Sequence, residues 1–231
     1  MNTIKQYSDM IEFLLETANL LSKERQRRIN KGENINIFSL WNDFSGLTEP
    51  IHSRILHFFL SSNPMHGQGN RFLNIFLKHI GIQSHKDEEW VSTVEIGRVD
   101  VMLKRFHPHG LVIIENKSNG AEDQPNQLYR YWYKNIHHCN DDCTRAYYEL
   151  HPEYKIVYLV PNKEKKINDD SLTRPIDYPE YLPDTIPIKP IVFSFQEEIS
   201  SWLEDCIDSL PEENIPLKNL LLQYEQYCKN L

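Results

Sequence analysis

The sequence predicts an α/β fold with one mixed central β-sheet flanked by helices, a helical N-terminal region and further helices closing the chain. Three observations predict it. Apolar residues recur at helical spacing through residues 10–80, the period shortens to that of strands over 90–117, and a compact apolar run at 154–160 follows one more helical stretch.

Met10, Phe13, Leu14, Ala18 and Leu21 share a helical spacing, with Ser8 and Asp9 placed to cap the start and Gly32 placed to end the helix. A short helix is expected over 37–44. Thr48 then stands as an N-cap with Pro50 in the first turn, opening a helix to residue 60 whose apolar positions are Ile51, Ile55, Phe58 and Phe59. Ser61, Ser62, Asn63 and Pro64 break it, and an amphipathic helix over 72–80 ends at Gly81. Residues 90–96, 98–105 and 111–117 are short, rich in Val and Ile, and divided by Gly97 and by the turn at 107–110, so they are expected as three strands. A polar linker at 118–125 leads into a helix over 126–137. Residues 154–160 form a fourth strand, apolar enough to be buried on both faces. A Pro-rich irregular stretch at 162–190 precedes a fifth strand at 191–195 and two helices, near 197–209 and 217–229. No stretch has the composition of a flexible linker, so residues 1–231 are expected as one domain: mainly helical over 1–81, an α/β core over 90–160, and a strand with helices over 190–231.

The composition, 40% apolar and 25% charged with 8 Gly and 13 Pro, excludes disordered and collagen-like chains. No apolar run approaches the roughly 20 residues of a membrane helix. The first residues are polar and run into Glu12 and Glu16 instead of an apolar signal region, so a cytoplasmic protein with no membrane partner is expected. Its four cysteines, 139, 143, 206 and 228, are expected as reduced thiols. A net charge of −8 argues against a nucleic-acid coat protein. It is compatible with an enzyme on DNA, which needs acidic metal ligands and only a local basic rim; residues 23–31, Lys104 with Arg105, and 163–166 are candidates. For any single run the plainer reading, a solvated face, is favoured.

Alternation along 111–117 puts Leu111, Ile113, Glu115 and Lys117 on one face, and Asp100 points away from Val99, Val101 and Leu103 on the preceding strand. Asp100 and Glu115 can therefore meet in one pocket. Two facing carboxylates repel, and a divalent cation removes the conflict. Hard oxygen ligands suit Mg²⁺, with Mn²⁺ as a substitute, which polarises a phosphodiester and lowers the pKa of bound water. Beside them Lys117 can orient that water, act as its base or neutralise developing charge; the residues do not choose among these. Glu-x-Lys occurs three times in the chain, at 115, 153 and 164. Only the first ends an apolar strand, follows a strand with an isolated Asp, and precedes Gln127 and Tyr131, four apart on one helical face. The plain alternative makes Glu115 and Lys117 a solvated pair, with Asp100 in water and Tyr131 in the core.

In GRVD (97–100), IIENK (113–117) and QLYRY (127–131) the chain resembles the PD-(D/E)XK superfamily of restriction-endonuclease-like nucleases, the last motif being similar to the Q-x-x-x-Y element of RecB-like members. The segment 36–77 resembles the helical region of one bacterial subfamily, and WLEDC with the terminal QYEQY resembles its tail, so the likeness covers most of the chain. The resemblance implies a restriction-endonuclease-like sheet and a Mg²⁺-dependent nuclease that hydrolyses DNA phosphodiester bonds, with RNA left open as a substrate. It implies Asp100 and Glu115 as metal ligands, the Asn116 carbonyl as a further one, and Lys117 as the catalytic lysine. Glu49 matches the acidic residue of the preceding helix, which binds metal directly or through water. Gln127 and Tyr131 would support the site or touch the phosphate backbone. Val99 stands where the superfamily's name has Pro, a position that varies.

His52 and Ser53 lie about one turn from Glu49 and are expected to line the same cleft and contact phosphate. His57 is expected to pack or cap, and His66 to shape its loop. His137 to Cys143 packs several zinc-ligating types together, but no second pair accompanies it, so a polar loop is favoured. Two rivals from other classes are a catalytically silent nucleic-acid-binding module on a nuclease fold and a subunit that depends on a targeting partner. A homo-oligomer is compatible with either.

Overall fold

A computed structural model describes residues 2–32, 35–62, 65–85, 87–139 and 144–231. Helix α1 (Asn2–Asn30) begins upstream of the cap expected at residues 8 and 9, so those residues lie inside it. Its C-terminus follows expectation: Gly32 takes φ +69° and its N–H donates to the Ile29 carbonyl. Helix α2 (Ile37–Ser45) is capped by Asn36, whose side-chain oxygen accepts from the Phe38 and Ser39 N–H groups. Helix α3 (Glu49–Leu60) opens at Thr48 with Pro50 in its first turn. It turns His52, Ser53, Leu56, Phe59 and Leu60 fully inward, while Ile51, Ile55 and Phe58 are only partly covered. The inward face is thus rotated from the one expected, towards a face with two polar residues. The expected break after Leu60 falls partly on 63 and 64, outside the described residues. Helix α4 (Arg71–His79) ends before Gly81, at φ +76°.

Strands β1 (Trp90–Ile96), β2 (Val99–Arg105), β3 (Gly110–Asn116), β4 (Tyr154–Val160) and β5 (Ile191–Ser194) form one sheet in that order. The first three are antiparallel, with Val101 opposite Ile114; β3–β4 and β4–β5 are parallel, with Glu115 opposite Tyr158. Gly110 begins β3 because a Cβ there would lie 3.0 Å from the Trp90 ring and 3.1 Å from the Glu153 Cβ.

The crossover from β3 to β4 packs on one face of the sheet. It runs through α5 (Gln127–Tyr131), which continues as π-helical (132–136) and 3₁₀ (137–139) turns where one α-helix was expected, and then α6 (Arg145–Leu150). Leu128, Tyr129 and Trp132 bury there against Leu111, Ile113, Ile156 and Tyr158. Short α7 (Asp169–Leu172) interrupts a stretch expected to be irregular, and α6 lies before β4 where no element was expected. On the other face α3, α4, α8 (Ser200–Asp208) and α9 (Ile215–Cys228) enclose Val101, Leu103, Val112, Ile114, Val157 and Leu159. Phe59, Phe76, Trp202 and Tyr224 fill that layer. Val99, at the first position of β2, packs with the opposite cluster from Val101 and Leu103.

Candidate active site

An apolar strand running into polar residues creates the site. Along β3, Leu111 and Ile113 pack on the α5 face, and alternation carries Glu115 to that same face one step beyond the Val101–Ile114 pair. Register then brings Asp100 beside it. The neighbouring Asn116 N–H donates to Asp100 Oδ2 at 2.7 Å, which orients that carboxylate. The Asn116 side chain faces the other way, donating to the Glu49 carbonyl at 2.9 Å and to Ser53 Oγ at 3.0 Å, and so ties β3 to the first turn of α3. The Glu49 carboxylate accepts from the Asn119 N–H at 3.4 Å, and its charge raises the pKa of Asp100.

Glu115 is 3% exposed and Lys117 4%. The Lys117 ammonium lies 2.9 Å from Glu115 Oε1 and donates to Gln127 Oε1 at 3.1 Å. Gln127 donates in turn to Glu115 Oε1 at 2.7 Å and to the Tyr131 hydroxyl at 3.0 Å, and that hydroxyl donates to the Arg98 carbonyl at 2.5 Å. Asn126, left-handed at φ +57° and tied by its amide to Thr173, sets where α5 starts and so aims Gln127.

The other oxygen of Glu115, Oε2, is buried and accepts no hydrogen bond. Burial first, then the Asp100 charge, pushes the Glu115 carboxyl up to about 7 against the pull of Lys117. Asp100 is also raised, mainly by burial. Burial likewise lifts Tyr131 well above an ordinary phenol, so it stays a neutral donor. Among the described residues no trio of His, Cys, Asp or Glu side chains is arranged to hold a metal ion. An ion here would therefore rest on two carboxylates, with backbone oxygen and water completing its shell, as Mg²⁺ tolerates.

Asp123 and Tyr158 join the cluster from elements where no site residue was expected. Asp123 sits in the loop at 118–125 with its side chain 4% exposed and Oδ1 3.9 Å from the Lys117 ammonium. Its carboxylate accepts from the Tyr158 hydroxyl at 2.6 Å and from the Asn168 N–H at 2.8 Å. A tyrosine inside an otherwise apolar strand is the available signal, since a buried hydroxyl needs a partner.

His52 is not brought to the cleft. Its ring is fully buried against Phe195, Tyr224 and Tyr227, Nδ1 lies 2.9 Å from the Tyr224 hydroxyl, and burial lowers its pKa to about 4. Ser53 is equally buried, donating to the Glu49 carbonyl while accepting from Asn116, and so braces the site from behind. His57 lies 2.9 Å from Ser92 Oγ, and His66 bonds the Ser61 carbonyl and the Gln68 N–H within its loop. Most of the cluster around His137 falls at 140–143, outside the described residues. Among the basic runs, Arg105 is buried on Glu88 at 2.6 Å, Lys163 bridges Glu197 and Glu198, and Lys165 ties down the Gly120 and Ala121 carbonyls. Residues 23–31, on the last turns of α1 and just past its end, are exposed, with Arg27 and Arg28 paired to Glu24.

A five-stranded mixed sheet with an acidic cluster and a lysine where its central strand ends places the chain among α/β proteins of the restriction-endonuclease-like fold. A family model of the PD-(D/E)XK nuclease superfamily matches residues 35–226, and the chain belongs to that superfamily. No curated protein and no solved structure gave a match. No helix is long and apolar enough to cross a membrane among the described residues.

Proposed function

We propose that the chain is a divalent-metal-dependent nuclease that hydrolyses phosphodiester bonds of DNA, with Asp100, Glu115 and Lys117 at its centre. The observation that carries this reading is the Glu115 carboxylate, buried beside Asp100 with Oε2 left without a partner. A buried, unsatisfied anion is costly unless a cation completes it, and the nearby ammonium engages only Oε1. The donor set is all hard oxygen, which fits Mg²⁺ or Mn²⁺. Asp100 and Glu115 would hold the ion, with the Asn116 carbonyl as a further ligand and Glu49 reaching it through water. Bound there, it would polarise the phosphodiester and lower the pKa of its water.

The chain's own groups divide the remaining work. Asp100 and Glu49, the half-buried members, form the side that a phosphate approaches. Lys117 points its donors at Glu115 Oε1, at Gln127 Oε1 and, at 3.5 Å, at the Glu122 carbonyl. An amine held among acceptors in this way serves as fixed positive charge, so of the three roles open to Lys117 we assign neutralisation of charge as it develops on the phosphate. Gln127 and Tyr131 position Glu115 and Lys117 from behind instead of touching the backbone of the nucleic acid. Buried thiols at Cys206 and Cys228 support a reducing, cytoplasmic setting.

The test is cleavage of labelled linear, circular, single-stranded and branched DNA by the purified chain with Mg²⁺ or Mn²⁺, beside EDTA and Lys117→Met controls. Metal-dependent cutting that the variant loses is expected. No cutting of any substrate by a folded, metal-binding wild-type chain would overturn the reading in favour of a silent binding module or a partner-dependent subunit.

A further inference from the structure

Backbone strain gathers around the site. Among the described residues, three other than glycine take a left-handed φ: Glu95 at +57°, Arg98 at +68° and Asn126 at +57°. Such angles are costly for any residue with a Cβ, and they persist where the surrounding structure holds them and function uses them. Asn126 has its use in aiming Gln127. Glu95 and Arg98 lie at the turn from β1 to β2, the turn that leads into Asp100.

Ile96 pairs with Val99 across that turn, which leaves a two-residue loop of Gly97 and Arg98, both left-handed. Loops of this kind favour Gly, Asn or Asp, so an arginine here is carried against the local preference. Its backbone is nevertheless fixed. The Arg98 carbonyl accepts from the Tyr131 hydroxyl at 2.5 Å, Gln127 links that hydroxyl to Glu115, and the next residue, Val99, is 1% exposed in the layer beneath α5. The side chain, by contrast, is exposed, and among the described residues it has no hydrogen bond, ion pair or ring contact.

The other cations at this end of α3, the β1–β2 hairpin, β3 and α5 are all engaged. Arg54 lies 3.1 Å from Glu95, Lys117 is held by Glu115 and Gln127, and Arg130 donates to the Pro125 carbonyl at 2.6 Å. The centre itself sets Asp100, Glu115, Glu49 and Asp123 against one ammonium, so a polyanion approaching it needs positive charge at the edge as well as any bound ion. Arg98 is the free cation placed there, and its planar fork suits the paired oxygens of a phosphate.

We propose that Arg98 binds the nucleic-acid backbone, taking a phosphate beside the one to be cut and so setting how the strand lies against Asp100 and Glu115. The inference rests on the nuclease reading of the site for its ligand. It gives the strained turn a purpose: holding one guanidinium at a fixed place on the rim.

Arg98→Gly is the informative substitution, because Gly fits the angle, keeps the carbonyl that Tyr131 holds and removes only the side chain. Its melting temperature should be no lower than that of the wild type. Fluorescence anisotropy of labelled DNA, with Ca²⁺ in place of Mg²⁺, should show binding weakened about tenfold. The dependence of log K on log salt should become shallower by about 0.9 on a duplex or about 0.7 on a single strand. Arg98→Lys should keep that slope while losing part of the affinity. In cleavage with Mn²⁺, Arg98→Gly should raise KM and leave kcat within about twofold. Unaltered affinity and salt slope in Arg98→Gly would overturn the proposal and leave the nuclease reading standing. So would an equal loss in Lys189→Ala, an exposed cation before β5 at the opposite end of the sheet. A wild-type chain that binds DNA through Arg98 but cuts none would uphold the contact and overturn the nuclease reading, and one that neither binds nor cuts would overturn both.

Discussion

Replacing Glu115 by Gln tests the centre of the site with no substrate present. In the folded chain, burial and then the Asp100 charge hold this carboxyl at about 7, against an ordinary 4.5. The folded value is the higher one, so the folded protein binds the proton more tightly than the unfolded chain. The resulting stabilisation is complete below about pH 4.5 and is lost as pH rises through about 7. The full span is worth about 3.4 kcal/mol, and about 2.5 kcal/mol of it falls between pH 5 and pH 8. Gln keeps the shape of the side chain and does not ionise. Urea unfolding of both proteins in EDTA at pH 5 and pH 8 reads the effect of the carboxylate cluster, because titrations outside that cluster are shared and cancel in the difference. The variant should gain about 2.5 kcal/mol on the wild type over that interval. A difference constant to within about 0.5 kcal/mol would refute the reasoning, since Lys117 would then be holding Glu115 ionised throughout.

Divalent ions should reverse that slope: at pH 8, Mn²⁺ at about a hundred times its Kd should add about 2.7 kcal/mol to the wild type, less at pH 5, and far less to Glu115→Gln, read by thermal unfolding. Lys117→Ala leaves the buried Glu115 and Gln127 oxygens without their donor and should cost about 3–5 kcal/mol in metal-free protein at pH 8, more than the near-isosteric Lys117→Met; an unaltered urea midpoint would deny the buried pair any weight. Asp123→Asn keeps groups that can meet Tyr158 and Asn168 while removing a charge 3.9 Å from the ammonium. A fall in kcat of about tenfold with KM and melting temperature unchanged is expected, as for a lost charge contact of about 1.4 kcal/mol; an unaltered kcat would reduce Asp123 to a loop anchor.

Much of the sheet was legible in the sequence because strand signals there are local. The bounds of β1 and β4 follow directly from apolar runs between turn residues, β2 and β5 differ by one residue at an end, and β3 is shifted by one residue at both. Pairing of Asp100 with Glu115 was legible for the same reason, since alternation and one hairpin decide it. What was hidden depends on packing between distant segments. The inward face of α3 is decided by α9, whose Tyr224 lies against His52 and turns a candidate phosphate contact into a core residue. No local signal reports that contact across 172 residues. Asp123 was invisible within a polar linker, because only folding brings Tyr158 and Asn168 to it. The π-helical turn after Tyr131 has no spacing signature that distinguishes it from ordinary helix.

The site is also where the fold departs most from the rules that make the rest of it stable. Trp202, Tyr224, Phe59 and Phe76 fill one face of the sheet with fully buried apolar and aromatic surface. On the other face the same apolar order holds until the end of β3, and there it gives way to the buried carboxylates of Glu115 and Asp123 around one ammonium, with Asp100 half-buried beside them. A core selected for stability alone would not raise a carboxyl to about 7 and leave one of its oxygens unpartnered. Strain of this kind persists where a ligand relieves it, and it predicts a specific asymmetry. Metal-free protein should be improved by Glu115→Gln at pH 8, whereas protein saturated with Mn²⁺ should be worsened by it. If the substitution stabilises the chain equally with and without the ion, the carboxylate has no ligand to meet and the cluster is structural.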